Sequence, residues 1–93
     1  IYFIEELQDA GIALGLDAES AKLLALQTFA GASLLAVHSH EDIKTLRAQV
    51  TSKGGTTEQG ILSLETADIK AIVSKATKAA ADKSVQLGDQ LGA

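Results

Sequence analysis

Leu23-Leu24-Ala25-Leu26-Gln27-Thr28-Phe29-Ala30-Gly31-Ala32-Ser33-Leu34-Leu35-Ala36-Val37 is the stretch on which the fold turns. Its apolar residues do not alternate with polar ones, so it does not read as a half-buried strand. Asp17 upstream is a good N-cap, and Glu19 suits the positive first turn, so the spacing predicts a helix from Asp17 to about His38. From Leu23 onward that helix is apolar on nearly every face, and such a helix must be covered on every face. A chain of 93 residues has few other elements to cover it. A second copy of the chain is the expected cover, with Gly31, Ala32 and Ser33 small enough to admit another backbone. The alternative is a monomeric bundle around one central helix. A membrane span is not expected, because Gln27, Thr28, Gly31 and Ser33 interrupt the run and it falls short of the ~20 residues a bilayer needs.

On the N-terminal side, Ile1 to Leu14 reads as an amphipathic helix. Phe3, Ile4, Leu7, Ala10 and Leu14 fall at three- and four-residue steps, and Glu5, Glu6, Gln8 and Asp9 take the other face. Gly15 is the expected stop. Gly11 sits inside the pattern at a cost of up to ~1 kcal/mol against alanine, which suggests a close helix contact there. The chain contains no methionine and opens on the apolar run Ile1-Tyr2-Phe3-Ile4, so it reads as a piece cut from a longer protein.

On the C-terminal side, three more helices are expected: Glu41 to Gln49, Thr56 to Leu64, and Ile69 to about Leu91. Thr66-Ala67-Asp68 should break the last two apart. Ile69, Ile72, Val73, Ala76, Ala80 and Leu87 should form a buried stripe on the final helix, with Lys70, Lys75, Lys78, Asp82 and Lys83 solvated and Gly88 to Ala93 frayed. With no proline, no repeat and no strand-like alternation, residues 1–93 form one all-α domain, a helical bundle of about five helices.

The one long stretch with no helical pattern is Val50-Thr51-Ser52-Lys53-Gly54-Gly55-Thr56-Thr57. The paired glycines allow a sharp turn and a close ligand approach. Thr56 followed by Gln59 reads as a capping box, with the Thr56 hydroxyl accepting from the Gln59 N–H and the Gln59 side chain reaching back to the Thr56 N–H. A glycine-rich loop opening a helix suits a small anion such as a carboxylate. The plain alternative is a connector between helices. The phosphate-loop pattern is not matched, since no Gly-Lys pair precedes the threonines.

Other chemistry is scarce. The formal charge is −4 with no basic face, which disfavours nucleic acid and anionic membranes as partners. There is no cysteine, hence no disulfide and no thiolate metal site, and a cytoplasmic compartment fits. His38 and His40 point to different faces of a helix and lack partner carboxylates at ligand spacing, so no metal is expected.

The segment Leu46-Arg47-Ala48-Gln49-Val50-Thr51-Ser52-Lys53-Gly54-Gly55-Thr56-Thr57-Glu58-Gln59-Gly60-Ile61, closing with Leu64-Glu65, closely resembles the signature of the pyrroline-5-carboxylate reductase family. The opening Phe3-Ile4-Glu5-Glu6-Leu7-Gln8-Asp9-Ala10-Gly11 with Leu14-Gly15-Leu16 is similar to the helix that begins that family's C-terminal domain. The resemblance implies the C-terminal helical dimerisation and substrate-binding domain of an enzyme that reduces pyrroline-5-carboxylate to proline. It implies a homodimer, with larger homo-oligomers left open. NADPH or NADH would be bound by an N-terminal domain outside this chain, and the chain alone would be inactive. By the same resemblance, Ser52 and the N–H groups of Thr56 and Thr57 would hold the substrate carboxylate. Gly54 and Gly55 would shape the loop, Val50 would line the pocket, and the Thr57 hydroxyl would serve catalysis at the ring nitrogen. Two departures stand out: Lys53 where many members have proline, and Glu41-Asp42-Ile43 where many have a His-Pro pair. A non-catalytic dimerisation module is the main rival reading, and a small-molecule sensor the next.

Overall fold

A computed structural model describes residues 1–92. Among them are five helices and no strand: α1 (Tyr2–Ala13), α2 (Ala18–His38), α3 (Ile43–Gln49), α4 (Thr56–Thr66) and α5 (Ile69–Gly92). The all-α expectation holds. The chain divides into two units, 1–48 and 49–93.

In the first unit, α1 and α2 form a helix hairpin. Its corner is set by Gly15, whose φ of +108° lies in the left-handed region that glycine tolerates. The Leu16 N–H donates to the Gly11 carbonyl at 3.1 Å and the Gly15 N–H to the Ile12 carbonyl at 3.0 Å. That crossed pair satisfies carbonyls that the end of α1 would otherwise leave bare. Asp17 then starts α2: its carboxylate accepts from the Ser20 N–H at 2.8 Å and from the Ser20 hydroxyl at 2.9 Å. Those bonds hold its carboxyl below the usual aspartate range, the backbone N–H contributing most. The close contact expected at Gly11 is present. A Cβ there would stand 3.3 Å from Leu16 Cδ1 and 3.5 Å from the Ala21 Cβ, so α1 meets α2 at small residues.

The described core is thin, because Ala21 and Ala25 are its only buried side chains, each 2% exposed. The rest of α2 is not covered within one chain. Leu24 is 52% exposed, Leu34 60% and Val37 76%. Even its threonine is turned inward, since the Thr28 hydroxyl donates to the Leu24 carbonyl of its own helix at 2.7 Å. The helix, 21 residues long with an 18-residue window of mean hydropathy 1.4, is also long and apolar enough to cross a membrane, by length and composition only. The apolar run at 23–37 is itself still short of a span, and the helix reaches that length by adding residues 18–22 before it and His38 after it.

The third helix begins two residues later than expected, at Ile43. Asp42 caps it by accepting from the Thr45 N–H at 2.7 Å, and the Glu41 N–H donates to the Ser39 hydroxyl at 3.0 Å. Glu41 and Asp42 are thus a cap and its approach rather than a first turn. The Thr45 bond also draws the Asp42 carboxyl below its usual range.

In the second unit, α4 continues through Thr66, two residues further than expected, and the break falls on Ala67-Asp68. Asp68 takes a φ of +60°, which aspartate reaches more readily than most residues. Its N–H closes α4 on the Glu65 carbonyl at 2.9 Å, while its own carbonyl accepts the Ile72 N–H and opens α5. The buried stripe expected on α5 is not buried. Ile69 is half-buried, but Ile72 is 58% exposed, and Val73, Ala76, Ala80 and Leu87 are also open. Two helices cannot cover each other on more than one side each. The tail is helical through Gly92, and Ala93 lies outside the described residues.

Candidate functional site

The segment between α3 and α4 is built on a tight turn. The Gly55 N–H donates to the Ser52 carbonyl at 3.0 Å, and Gly54, third of the four residues, has a φ of +76°. A positive φ at that place marks a type II turn, in which glycine is favoured third and proline second. Lys53 holds the second place. The proline common there in the resembling family would preset this turn, and Lys53 does not.

Gly55 cannot be replaced without disturbing the turn. A Cβ on it would come within 3.1 Å of the Ser52 carbonyl oxygen and 3.3 Å of the Ser52 Cβ. It is extended, with φ −89° and ψ −179°, and it is the N-cap of α4. This corrects the expected capping box. The cap is Gly55 and not Thr56, and no side chain caps the helix start. Gln59 donates its N–H to the Gly55 carbonyl at 3.2 Å as the first intrahelical bond. The turn closes on Gly55, so the cap falls one residue before Thr56. The reaching-back role falls to Glu58, whose carboxylate accepts from the Gly54 N–H at 3.0 Å. Glu58 is therefore a member of the site that the sequence reading passed over. The signal was present, a glutamate three residues after a glycine cap, but it depended on knowing which residue was the cap.

The expected site residues divide into two groups. Ser52, Gly54, Gly55, Thr56 and Thr57 come together on the turn and the first turn of α4. Without a capping side chain, the N–H groups of Thr56 and Thr57 point out of a helix start where partial positive charge gathers. The side chains of Ser52, Thr56 and Thr57 are exposed, as an acceptor-binding cradle requires. Val50 is the exception. It stands 59% exposed just before the turn, so the pocket wall expected of it is not formed around it. His38 and His40 are both exposed, and among the described residues no group of metal-ligating side chains gathers. A recess in the first unit is walled by Leu7, Ala10, Gly11, Leu16, Ala21 and Leu24. Its lining is mainly apolar and suits packing better than chemistry.

Comparison with known proteins shows which family the chain resembles over its length. Residues 1–87 match the family model described as pyrroline-5-carboxylate reductase dimerisation. The pyrroline-5-carboxylate reductase of Pseudomonas aeruginosa is 42% identical over 89 residues, covering 96% of this chain and 33% of that protein. Pyrroline-5-carboxylate reductase 2 of Bacillus subtilis is 35% identical over 88 residues, covering 95% of this chain and 32% of that protein. Among solved structures, the pyrroline carboxylate reductase of Plasmodium falciparum, with NADP bound, superposes with a TM-score of 0.86 at 40% identity, over 89% of this chain and 33% of that one. The chain spans about a third of the length of these relatives. With an all-α fold, a glycine turn opening α4 and a match that runs nearly end to end, the chain belongs to the pyrroline-5-carboxylate reductase dimerisation family.

Proposed function

We propose that this chain is the C-terminal, self-associating and substrate-binding part of an enzyme that reduces pyrroline-5-carboxylate to proline. The observation that carries the proposal is the start of α4, where the Ser52–Gly55 turn leaves the Thr56 and Thr57 N–H groups uncapped. Two adjacent donors at a helix start suit the two oxygens of a carboxylate. Ser52 adds a hydroxyl on the same turn. The Thr57 hydroxyl would then lie beside the ring of a substrate so anchored, where it can hydrogen-bond the nitrogen that becomes protonated. What these residues do is position and polarise.

The chain itself does not fit a dinucleotide. It has no G-x-G-x-x-G and, among the described residues, no strand to present one. The hydride chemistry of NADPH or NADH belongs to the part of the reductase outside this chain, and the chain alone is inactive on this reading. The apolar surface of α2 supports the second half of the proposal. It is covered by another copy of the chain in a homodimer, not by lipid, in keeping with the dimerisation family that the chain matches. Nucleic acid has no part in this reading, and a cytoplasmic location goes with it.

The test is NAD(P)H oxidation by the full-length protein with pyrroline-5-carboxylate as the added substrate. Turnover is expected. A hydrogen bond to a charged group is worth ~1.5–3 kcal/mol, so Thr57→Val should lower kcat/KM by about 10- to 150-fold. Ser52→Ala should act mainly on KM. A folded, cofactor-binding protein without turnover would leave a non-catalytic dimerisation module, and wild-type efficiency in Thr57→Val would remove Thr57 from the chemistry.

A further inference from the structure

The Ser52–Gly55 turn carries the substrate-binding groups on the reading above, yet its own sequence holds it loosely. The second place of a type II turn favours proline, because a fixed φ spares the turn most of its ordering cost. Lys53 supplies no such restraint. The turn has one internal hydrogen bond, from the Gly55 N–H to the Ser52 carbonyl. Gly54 at its third place has the widest conformational freedom of any residue type. What holds Gly54 is the half-buried Glu58, whose Oε1 accepts the Gly54 N–H at 3.0 Å. Glu58 lies in the first turn of α4, on a rigid element, so the bond ties the free glycine to the same helix whose N–H groups form the cradle. Its charge is also well placed for the helix start.

We infer that Glu58 is a positioning residue for the substrate-carboxylate cradle, holding the Lys53–Gly54 turn by a hydrogen bond where a proline would hold it by its ring. The inference rests on the proposed function for its kinetic consequence, but not for its structural one. Glu58 does not touch the substrate. It fixes the distance between Ser52 and the Thr56 and Thr57 N–H groups before binding, so its loss should appear as a raised KM at nearly constant kcat.

The test uses the full-length protein and three variants. Glu58→Ala should raise KM for pyrroline-5-carboxylate by roughly 2- to 10-fold, the equivalent of one net hydrogen bond, with kcat within about twofold. Glu58→Gln keeps an accepting oxygen and should restore KM to near wild type. Lys53→Pro placed in the Glu58→Ala protein should also restore it, which a mere stabilising role for Glu58 would not produce. An unchanged KM in Glu58→Ala, or a raised KM that neither Gln nor the proline corrects, overturns the inference. Amide exchange at Gly54 is the second readout and needs no activity. Protection lost in Glu58→Ala and kept in Glu58→Gln supports the bond as the restraint, and equal protection in both overturns it. Should the wild-type protein show no turnover, the reaction assigned above fails, while Gly54 exchange still decides the role of Glu58.

Discussion

Helix α2 and the turn at 52–55 make opposite demands on the sequence. The helix states its requirement many times over: Leu23, Leu24, Leu26, Phe29, Leu34, Leu35 and Val37 all say that its surface must be covered, and none is individually decisive. The turn states its requirement once at each place. Gly54 supplies a positive φ, Gly55 a missing Cβ, and Glu58 one acceptor oxygen. Packing is distributed and tolerant of exchange among apolar residues, whereas backbone conformation is decided atom by atom. The helix should therefore respond to charge and hardly to apolar exchange, and the turn to a single methyl group.

The largest expected effect is on α2. Leu34→Glu would leave an unpaired charge in the surface proposed to meet a second copy, at a cost of roughly 3–5 kcal/mol. Association should weaken by two orders of magnitude or more in sedimentation experiments, while Leu34→Ile should change it little. Equal association in both would break the contrast.

The hairpin contact comes next. Gly11→Val should cost about 1–3 kcal/mol in thermal or denaturant unfolding, because its branches meet the Ala21 backbone and the Leu16 side chain. Gly11→Ala should be close to neutral. Its new methyl meets the movable tip of Leu16 at 3.3 Å, and the crowding is offset by up to ~1 kcal/mol of helix propensity. A large loss from the alanine would mean that α1 and α2 meet with less freedom at Gly11 than the Leu16 side chain suggests.

Gly54→Ala tests the turn. At a φ of +76° an alanine is strained by about 1–2 kcal/mol although nothing lies within 4 Å of the new Cβ. Stability should fall by that amount, and substrate KM should rise in the full-length protein. An alanine tolerated at no cost would show that the turn conformation is not required.

The smallest effect is an acid one. Asp17 and Asp42 have their carboxyls drawn below the ordinary value by the Ser20 and Thr45 N–H groups. Both caps therefore stabilise above the ordinary aspartate pKa, and that contribution is lost as pH falls through the lowered folded values. Wild-type stability should decline below about pH 4, and less steeply in Asp17→Asn, which still caps but does not titrate. Parallel declines would remove Asp17 from the acid response.

The same contrast explains what could be read without coordinates. The five helices were legible because capping residues and apolar steps repeat their message. Asp17, Gly15 and the Gly11 contact all fall where the pattern placed them. The place of the turn was legible too, since no helical pattern competes with Val50–Thr57. Its register was not. Thr56 and Gly55 are both acceptable N-caps, and only the turn closed by the Gly55 N–H on Ser52 selects between them. The burial of α5 could not be read correctly because a stripe of Ile72, Val73 and Ala76 shows that a face is apolar, not which molecule covers it. On the proposed homodimer, the uncovered α2 is the surface that a second copy meets.

That partner is the centre of the account, and the mass of the folded chain in solution tests it most directly. Sedimentation equilibrium, with helicity followed by circular dichroism, should give at least twice the 9.6 kDa chain mass for a stably helical species. A helical species that remains at 9.6 kDa throughout the micromolar range would contradict it, for α2 would then keep its apolar surface in water.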